Sequence, residues 1–286
     1  MAPKEKQSSM IGTVYIVGAG PGNRDLITVR GLKCLRKADV VLYDRLVDKQ
    51  LLEESRTDAE RIYVGKEMGS EEIQQRHTEE LMIARARKGQ TICRLKGGDP
   101  CVFGRGSEEA RALRVAGVPF EIVPGVSSAT AVPVSAGIPV TNRNINHSFM
   151  VIAGSRSHPL DSPEWLAARA LVKAGGTVVV LMGLSQLRPI VESLLAAECP
   201  GAIPIAIISN GTLPSQDCRF GTLADIMESV DGVKSPSVIV IGDVVSLRET
   251  DSIISSCHGF SASSGSNPAL AAFTSSQMKW WRNCRS

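Results

Sequence analysis

Residues 94–106, "RLKGGDPCVFGRG", set one carboxylate, Asp99, among three cations, Arg94, Lys96 and Arg105, on a stretch bared by four glycines. The consecutive Gly97 and Gly98 remove side chains just before the acid, and Pro100 stiffens the exit, so a ligand can come close to the backbone. A lone carboxylate in such a loop can accept hydrogen bonds from hydroxyl or amino groups. The cations beside it can hold an anionic substrate. A turn closed by local ion pairs accounts for the same residues.

Asp44 in "YDRLV" and Lys66 in "YVGK" each follow a short apolar run. Both therefore fall at the C-terminal end of a predicted strand, where open α/β sheets bind ligands. Taken singly, Asp44 is also a good helix N-cap and Lys66 a solvated loop cation. Ser127 and Ser128 follow Gly125 in "VPGVSSA"; they offer small polar groups to a ligand and would equally cap a helix. "VGAGPGN", residues 17–23, approaches the dinucleotide fingerprint GxGxxG, but Asn23 stands where the third glycine is needed.

The elements that must position these groups alternate along the chain. Strand-like runs "TVYIV", "DVVLYD", "RIYV", "TICRL" and "FEIV" are separated by helical patterns, among them 71–88 and "SEEARALRVAG". This argues for a largely parallel sheet covered by helices. A polar, aperiodic stretch, "VTNRNINH", marks a boundary. Beyond it the pattern restarts with "SFMVIAG", "GTVVVLMG", "IPIAIIS" and "SVIVIGDVV", and with helices expected near 163–174, 186–197 and 222–230. The expected organisation is an N-terminal extension over 1–12, α/β domains over 13–143 and 144–250, and a tail over 251–286. Ten of the 36 tail positions are serine, a composition that cannot bury enough surface to fold alone.

Composition excludes several classes. Aromatic residues make up 4% and the net charge is +3, too few stacking platforms and too little charge for a protein that coats nucleic acid. No apolar run approaches the ~20 residues of a membrane span, and "MAPKEKQSSM" lacks the apolar segment of a secretory signal. Seven cysteines without a CxxC and four scattered histidines read as reduced thiols, with neither a disulfide frame nor a metal site. The expected location is the cytoplasm, or an organelle stroma in a eukaryote.

In combination these stretches resemble the tetrapyrrole (corrin/porphyrin) methylase family over residues 13–248. The resemblance rests on "VGAGPGN", "VLYDRLV", "YVGK", "RLKGGDPCVFGRG", "VPGVSSA", "GIPVTNR", "LMG", "NGT" and "SPSVIVIGDVV", in this order and spacing. It implies two α/β domains with the active site in the cleft between them. It implies S-adenosylmethionine as methyl donor, touched by Pro21, Gly97, Gly98, Asp99, Val102, Ser127, Ser128, Met182 and Gly211, and no metal. By position, the family's proton acceptor falls on Asp44 and its proton donor on Lys66. The implied activity is C-methylation of uroporphyrinogen III at C2 and C7 by a homodimer acting on a small tetrapyrrole, with neither nucleic acid nor membrane as partner. Glu67, Ser107 and Asn142 depart from the family's usual residues. A sibling methylase with another substrate, and a Rossmann-type oxidoreductase built on "GAGPG", stay open as alternatives.

Overall fold

A computed structural model describes residues 11–65 and 71–248, which belong to one compact unit. Lys66, Glu67 and the tail over 251–286 lie outside the described residues.

The valine- and isoleucine-rich runs of the first half form β1 (Val14–Gly18), β2 (Val40–Tyr43), β3 (Glu60–Tyr63), β4 (Ile92–Lys96) and β5 (Phe120–Val123). They pair in the order β3-β2-β4-β1-β5, all parallel. Between them run α1 (Val29–Leu35), α2 (Glu71–Ala86) and α3 (Gly106–Val115). One face of the sheet buries Val17, Val41, Cys93 and Leu95 with Leu35 of α1. The other buries Ile16, Leu42 and Ile92 with Met82 of α2 and Leu113 of α3. Parallel pairing puts the C-terminal ends of β1, β2, β4 and β5 side by side, so the loops carrying Pro21, Asp44, Asp99 and Gly125 leave the sheet along one edge.

The second half forms β6 (Phe149–Ala153), β7 (Thr177–Leu181), β8 (Pro204–Ser209), β9 (Asp217–Thr222) and β10 (Ser237–Ile241), in the order β6-β7-β10-β8-β9. The expectation of a largely parallel sheet fails here: only β6 and β7 run parallel, and the other three pairings are antiparallel. The expected helix near 222–230 is also replaced, by β9 and a 3-10 turn over Ile226–Glu228. The side chain of Asp225 accepts a bond from the Thr222 amide at 2.6 Å and turns the chain there. The polar "DCRFGT" of β9 gave no alternating signal because it is an edge strand, half-buried along its whole length.

Helices α5 (Pro163–Lys173) and α6 (Leu187–Ala196) cover one face of this sheet, burying Trp165 and Ile190 against Val180 and Ile239. The opposite face is covered by α4 (Ser128–Ser135), whose Ala129 and Val132 pack with Val179, Leu181, Val238 and Val240. A helix that precedes the second sheet in sequence is thus part of that sheet's core. The polar boundary stretch is a turn closed by buried Asn146, whose amide donates to Val140 O, Ser148 O and Thr177 Oγ1.

Candidate active site

Three glycines bring the site loops into backbone contact. A methyl built on Gly18 would lie 2.5 Å from Gly125 Cα and 2.7 Å from Gly98 O, so these chains touch only because side chains are missing. Gly98 N–H donates to Gly20 O at 2.7 Å and Gly20 N–H returns a bond to Gly98 O at 3.2 Å. Gly98 has φ +67°, a conformation that glycine adopts without steric cost. A methyl added there would meet nothing nearer than the Ser128 amide nitrogen at 3.9 Å. Gly98 therefore faces open space, which is what a cradle for a ligand requires.

Asp99 closes this cradle. Its Oδ1 accepts from the Cys101 amide at 2.8 Å and its Oδ2 from the Gly125 amide at 3.0 Å. The carboxylate thus ties the loop after β4 to the loop after β5. Each oxygen uses one of its acceptor positions in this way and retains another. On the far side, Ser127 caps α4 by accepting from the Ala129 amide at 3.2 Å, and Ser128 is the first helical residue. The capping alternative is therefore realised for Ser127.

Asp44 lies just past β2. Its Oδ1 accepts from the Leu46 amide at 3.2 Å, which makes a local turn and not the helix cap weighed above. Its Oδ2 is 3.5 Å from Arg94 Nη2, and the side chain is 25% exposed. Leu46 in turn packs on Gly97, where an added methyl would lie 2.8 Å from Leu46 Cβ. The Asp44 loop and the glycine loop are neighbours.

The cations expected to hold an anionic substrate are placed differently. Arg94 and Lys96 are each 5% exposed. On β4 they share a face with Ile92 and look towards α3, where Glu109 is fully buried with Ala110 and Leu113. Glu109 Oε1 accepts from Arg94 Nε at 3.1 Å and from Lys96 Nζ at 2.8 Å. Burial drives the Lys96 ammonium below its usual pKa, and the charge of Arg94 adds to this, against the pull of Glu109. Burial raises the Glu109 carboxyl, but the two cations outweigh it and hold the group below the usual carboxylate range. Arg94 and Lys96 are thus committed to Glu109 beneath the site. Arg105 pairs with Glu108 at 2.7 Å on the surface, and Arg85 with Glu60 at 2.6 Å.

The second sheet contributes the loops after β7 and β8. The Asn23 amide donates to Thr212 Oγ1 at 3.0 Å, and a methyl on Gly22 would lie 3.0 Å from the same oxygen. Pro21 therefore lies between Gly20, which is bonded to Gly98, and Gly22, which touches the second sheet's loop. Gly211 is buried against α4; a methyl there would lie 2.4 Å from Val132 Cγ1. Val102, 37% exposed after Pro100, and Met182, 52% exposed after β7, stand outside this bonded set. Left-handed φ values in non-glycine residues gather on these loops, at Phe103, Arg105, Met182, Asn210 and Thr212. Strain of this kind collects at binding sites.

Two participants were missed in the sequence. Glu109 could have been found from Gly106, Glu109, Ala110 and Leu113, whose helical spacing sets the acid on the buried face. Gln216 carries no such signal: its Oε1 accepts from the Thr212 amide at 2.8 Å and its Nε2 donates to Ser135 O at 3.1 Å, fastening the 210–212 loop to α4. The oxidoreductase alternative loses its structural basis. After "GAGPG" the chain makes a 3-10 turn over Arg24–Leu26, and α1 begins only at Val29, so the glycine turn does not open directly into α1 as a dinucleotide-binding turn requires. Among the described residues, no group of His, Cys, Asp and Glu has the arrangement of a metal site. No helix among them is long and apolar enough to cross a membrane.

A family model described as Tetrapyrrole (Corrin/Porphyrin) Methylases matches residues 13–227. A uroporphyrinogen-III C-methyltransferase from Methanocaldococcus jannaschii is 43% identical over 244 residues, covering 84% of this chain and 100% of its own. Siroheme synthase 2 from Pectobacterium atrosepticum is 44% identical over 238 residues, covering 83% of this chain, which spans only 51% of that longer protein. Among solved structures, the uroporphyrin-III C-methyl transferase of Thermus thermophilus complexed with S-adenosyl homocysteine superposes with a TM-score of 0.69 at 36% identity. That match covers 82% of this chain and 100% of the other.

Proposed function

Because this chain belongs to the tetrapyrrole (corrin/porphyrin) methylase family, we propose that it methylates uroporphyrinogen III at C2 and C7 with S-adenosylmethionine, yielding precorrin-2. The observation that carries this reading is the 43% identity that runs the whole length of a relative named for this reaction. When bound, S-adenosylmethionine supplies a methyl group on a positively charged sulfur. The residues fit such a ligand: the open face of Gly98 admits its close approach to the backbone, and Asp99 keeps free acceptor positions for hydroxyl or amino groups.

The chain's task is chiefly alignment, because an electron-rich ring carbon attacks the methyl in line. Gly18, Gly98 and Gly125 set the cradle by backbone contact, and Asp99 holds it to the loop after β5. Asp44 accepts the proton that the methylated ring must lose from a bridging position. Its partial exposure leaves the carboxylate accessible. Lys66 offsets substrate charge or returns a proton. The substrate carries eight carboxylates, and with Arg94 and Lys96 buried against Glu109 below the site its recognition falls to surface cations such as Arg45, the exposed neighbour of Asp44. The protein acts in the cytoplasm and as a homodimer, the latter checked by light scattering.

The test is anaerobic incubation with uroporphyrinogen III and S-adenosylmethionine, with no nicotinamide. Two methyl groups per tetrapyrrole and two S-adenosylhomocysteine are expected, with a mono-methylated species first, because one donor site must be emptied and refilled. Binding of the donor without any methylated uroporphyrinogen would move the substrate to another tetrapyrrole and bring Glu67, Ser107 and Asn142 forward as its determinants.

A further inference from the structure

We infer that Glu109, which touches neither candidate ligand, is a positioning residue that holds Asp44 and the Gly97–Asp99 loop in one fixed relation. The inference rests on the methyltransferase reading and on Asp44 as its proton acceptor. Four charged groups lie in a row where the rest of the α3 interface is apolar. Asp44 Oδ2 is 3.5 Å from Arg94 Nη2, Arg94 Nε is 3.1 Å from Glu109 Oε1, and that oxygen is 2.8 Å from Lys96 Nζ.

The register of the sheet makes this row. Leu42 pairs with Arg94 across β2 and β4, so Asp44, two residues on, leaves the sheet on the face of Arg94 and Lys96. Lys96 is the last residue of β4, and Gly97 follows it. One carboxylate oxygen thus restrains both the cation that faces Asp44 and the residue from which the glycine loop departs. Arg94 is further fixed by donating from Nη1 to Leu95 O at 3.0 Å. Among the described residues Glu109 Oε2 has no hydrogen-bond partner, and the hold of this carboxylate on them runs through Oε1 and the two cations.

Buried ion clusters are expensive and are often replaceable by apolar side chains without loss of stability. A cluster that links the candidate base to the donor loop has a use that an apolar core could not supply. Without the Glu109 charge, Arg94 has only Asp44 as an anionic partner among the described residues and draws it inward, away from the exposed position in which it meets substrate. Lys96 loses its only carboxylate partner at hydrogen-bond distance among the described residues.

The experiment is a double-mutant cycle on the full chain. Glu109→Gln, Asp44→Asn and the double variant are compared with the parent in single-turnover methyl transfer, with S-adenosylhomocysteine affinity and melting temperature measured alongside. Glu109→Gln is expected to slow transfer at least tenfold, with affinity changed less than threefold. In the Asp44→Asn background it is expected to slow transfer much less, because the greater part of the Glu109 effect runs through Asp44. Equal slowing in both backgrounds would make Glu109 a structural residue and overturn the proposal. If Asp44→Asn leaves the rate unchanged, the proposal also falls, while methylated product still upholds the methyltransferase reading. If Glu109→Gln does not fold, Arg94→Lys takes its place in the cycle: it keeps the buried charge but cannot bridge Glu109 and Asp44 at once, and the same outcomes decide.

Discussion

The carboxylate of Asp99 spans two loops: Oδ2 accepts from the Gly125 amide at 3.0 Å while Oδ1 holds the Cys101 amide at 2.8 Å. The acid that looked free to meet a ligand is therefore also a clasp between the chain after β4 and the chain after β5. Asp99→Ala is expected to weaken S-adenosylmethionine binding by about 1.5–3 kcal/mol, the scale of a hydrogen bond to a charged group. It is also expected to lower the melting temperature, since two backbone amides lose their acceptor. Calorimetric titration and a thermal scan measure the two effects; unchanged affinity would leave Asp99 as a clasp alone.

Asp44→Asn keeps the size of the side chain and its bond to the Leu46 amide but removes its basicity. Methyl transfer is expected to slow ~10²–10⁴-fold, the usual cost of losing a general base, with donor affinity retained. An unaltered single-turnover rate would reduce Asp44 to its local turn.

Two glycine-to-alanine changes should separate binding from folding. At Gly98 the added methyl has room, with only the Ser128 amide nitrogen 3.9 Å away, but φ is +67°. The protein should fold with a loss of about 1–2 kcal/mol and bind the donor far more weakly, because the methyl enters the cradle. At Gly18 the methyl would lie 2.5 Å from Gly125 Cα, so backbone must move. Gly18→Ala should be the less stable of the two by chemical denaturation, and the opposite order would refute this assignment of space.

Thr212 Oγ1 receives the Asn23 amide at 3.0 Å, joining loops of the two sheets. Thr212→Val removes the acceptor at constant shape. A loss of about 1 kcal/mol is expected, which lowers the melting temperature of a domain this size by ~2–4 °C. No measurable shift would mean that the van der Waals contact of the loops suffices.

The acid limb of stability should carry the signature of Glu109. Its carboxyl is held below the usual range in the folded protein by Arg94 and Lys96, against the opposing effect of burial. The unfolded chain therefore takes up this proton first, and stability rises with pH across that window. The contribution is complete above the usual carboxylate range and is lost as pH falls through the depressed folded value. Glu54, Asp58 and Glu121, also lowered by arginine partners, act in the same direction in both proteins and cancel in a difference. Denaturant titrations from neutral to acid pH should show a shallower pH dependence in Glu109→Gln than in the parent. Parallel curves would show that Glu109 does not titrate differently in the two states.

Local periodicity determined much of this molecule. The apolar runs of β1, β2, β7, β8 and β10 announce themselves because a strand buried on both faces needs a near-continuous Val/Ile/Leu stretch. The ordered motifs by themselves place Asp44, Asp99 and the glycine loops at strand ends. Strand direction in the second sheet was not legible, since a buried strand has the same composition whether its neighbour runs parallel or antiparallel. Nor was β9, whose half-buried edge position demands no pattern. The largest difference concerns Arg94 and Lys96. As residues of a loop-bearing motif they look available to an anion. They are buried because β4 is central, because their alternation turns both to the same face, and because α3, docked there by Ala110 and Leu113, delivers Glu109. Charge pairing across elements is settled by register and helix docking, which are non-local, whereas the strands and turns that present the site are written in neighbouring residues.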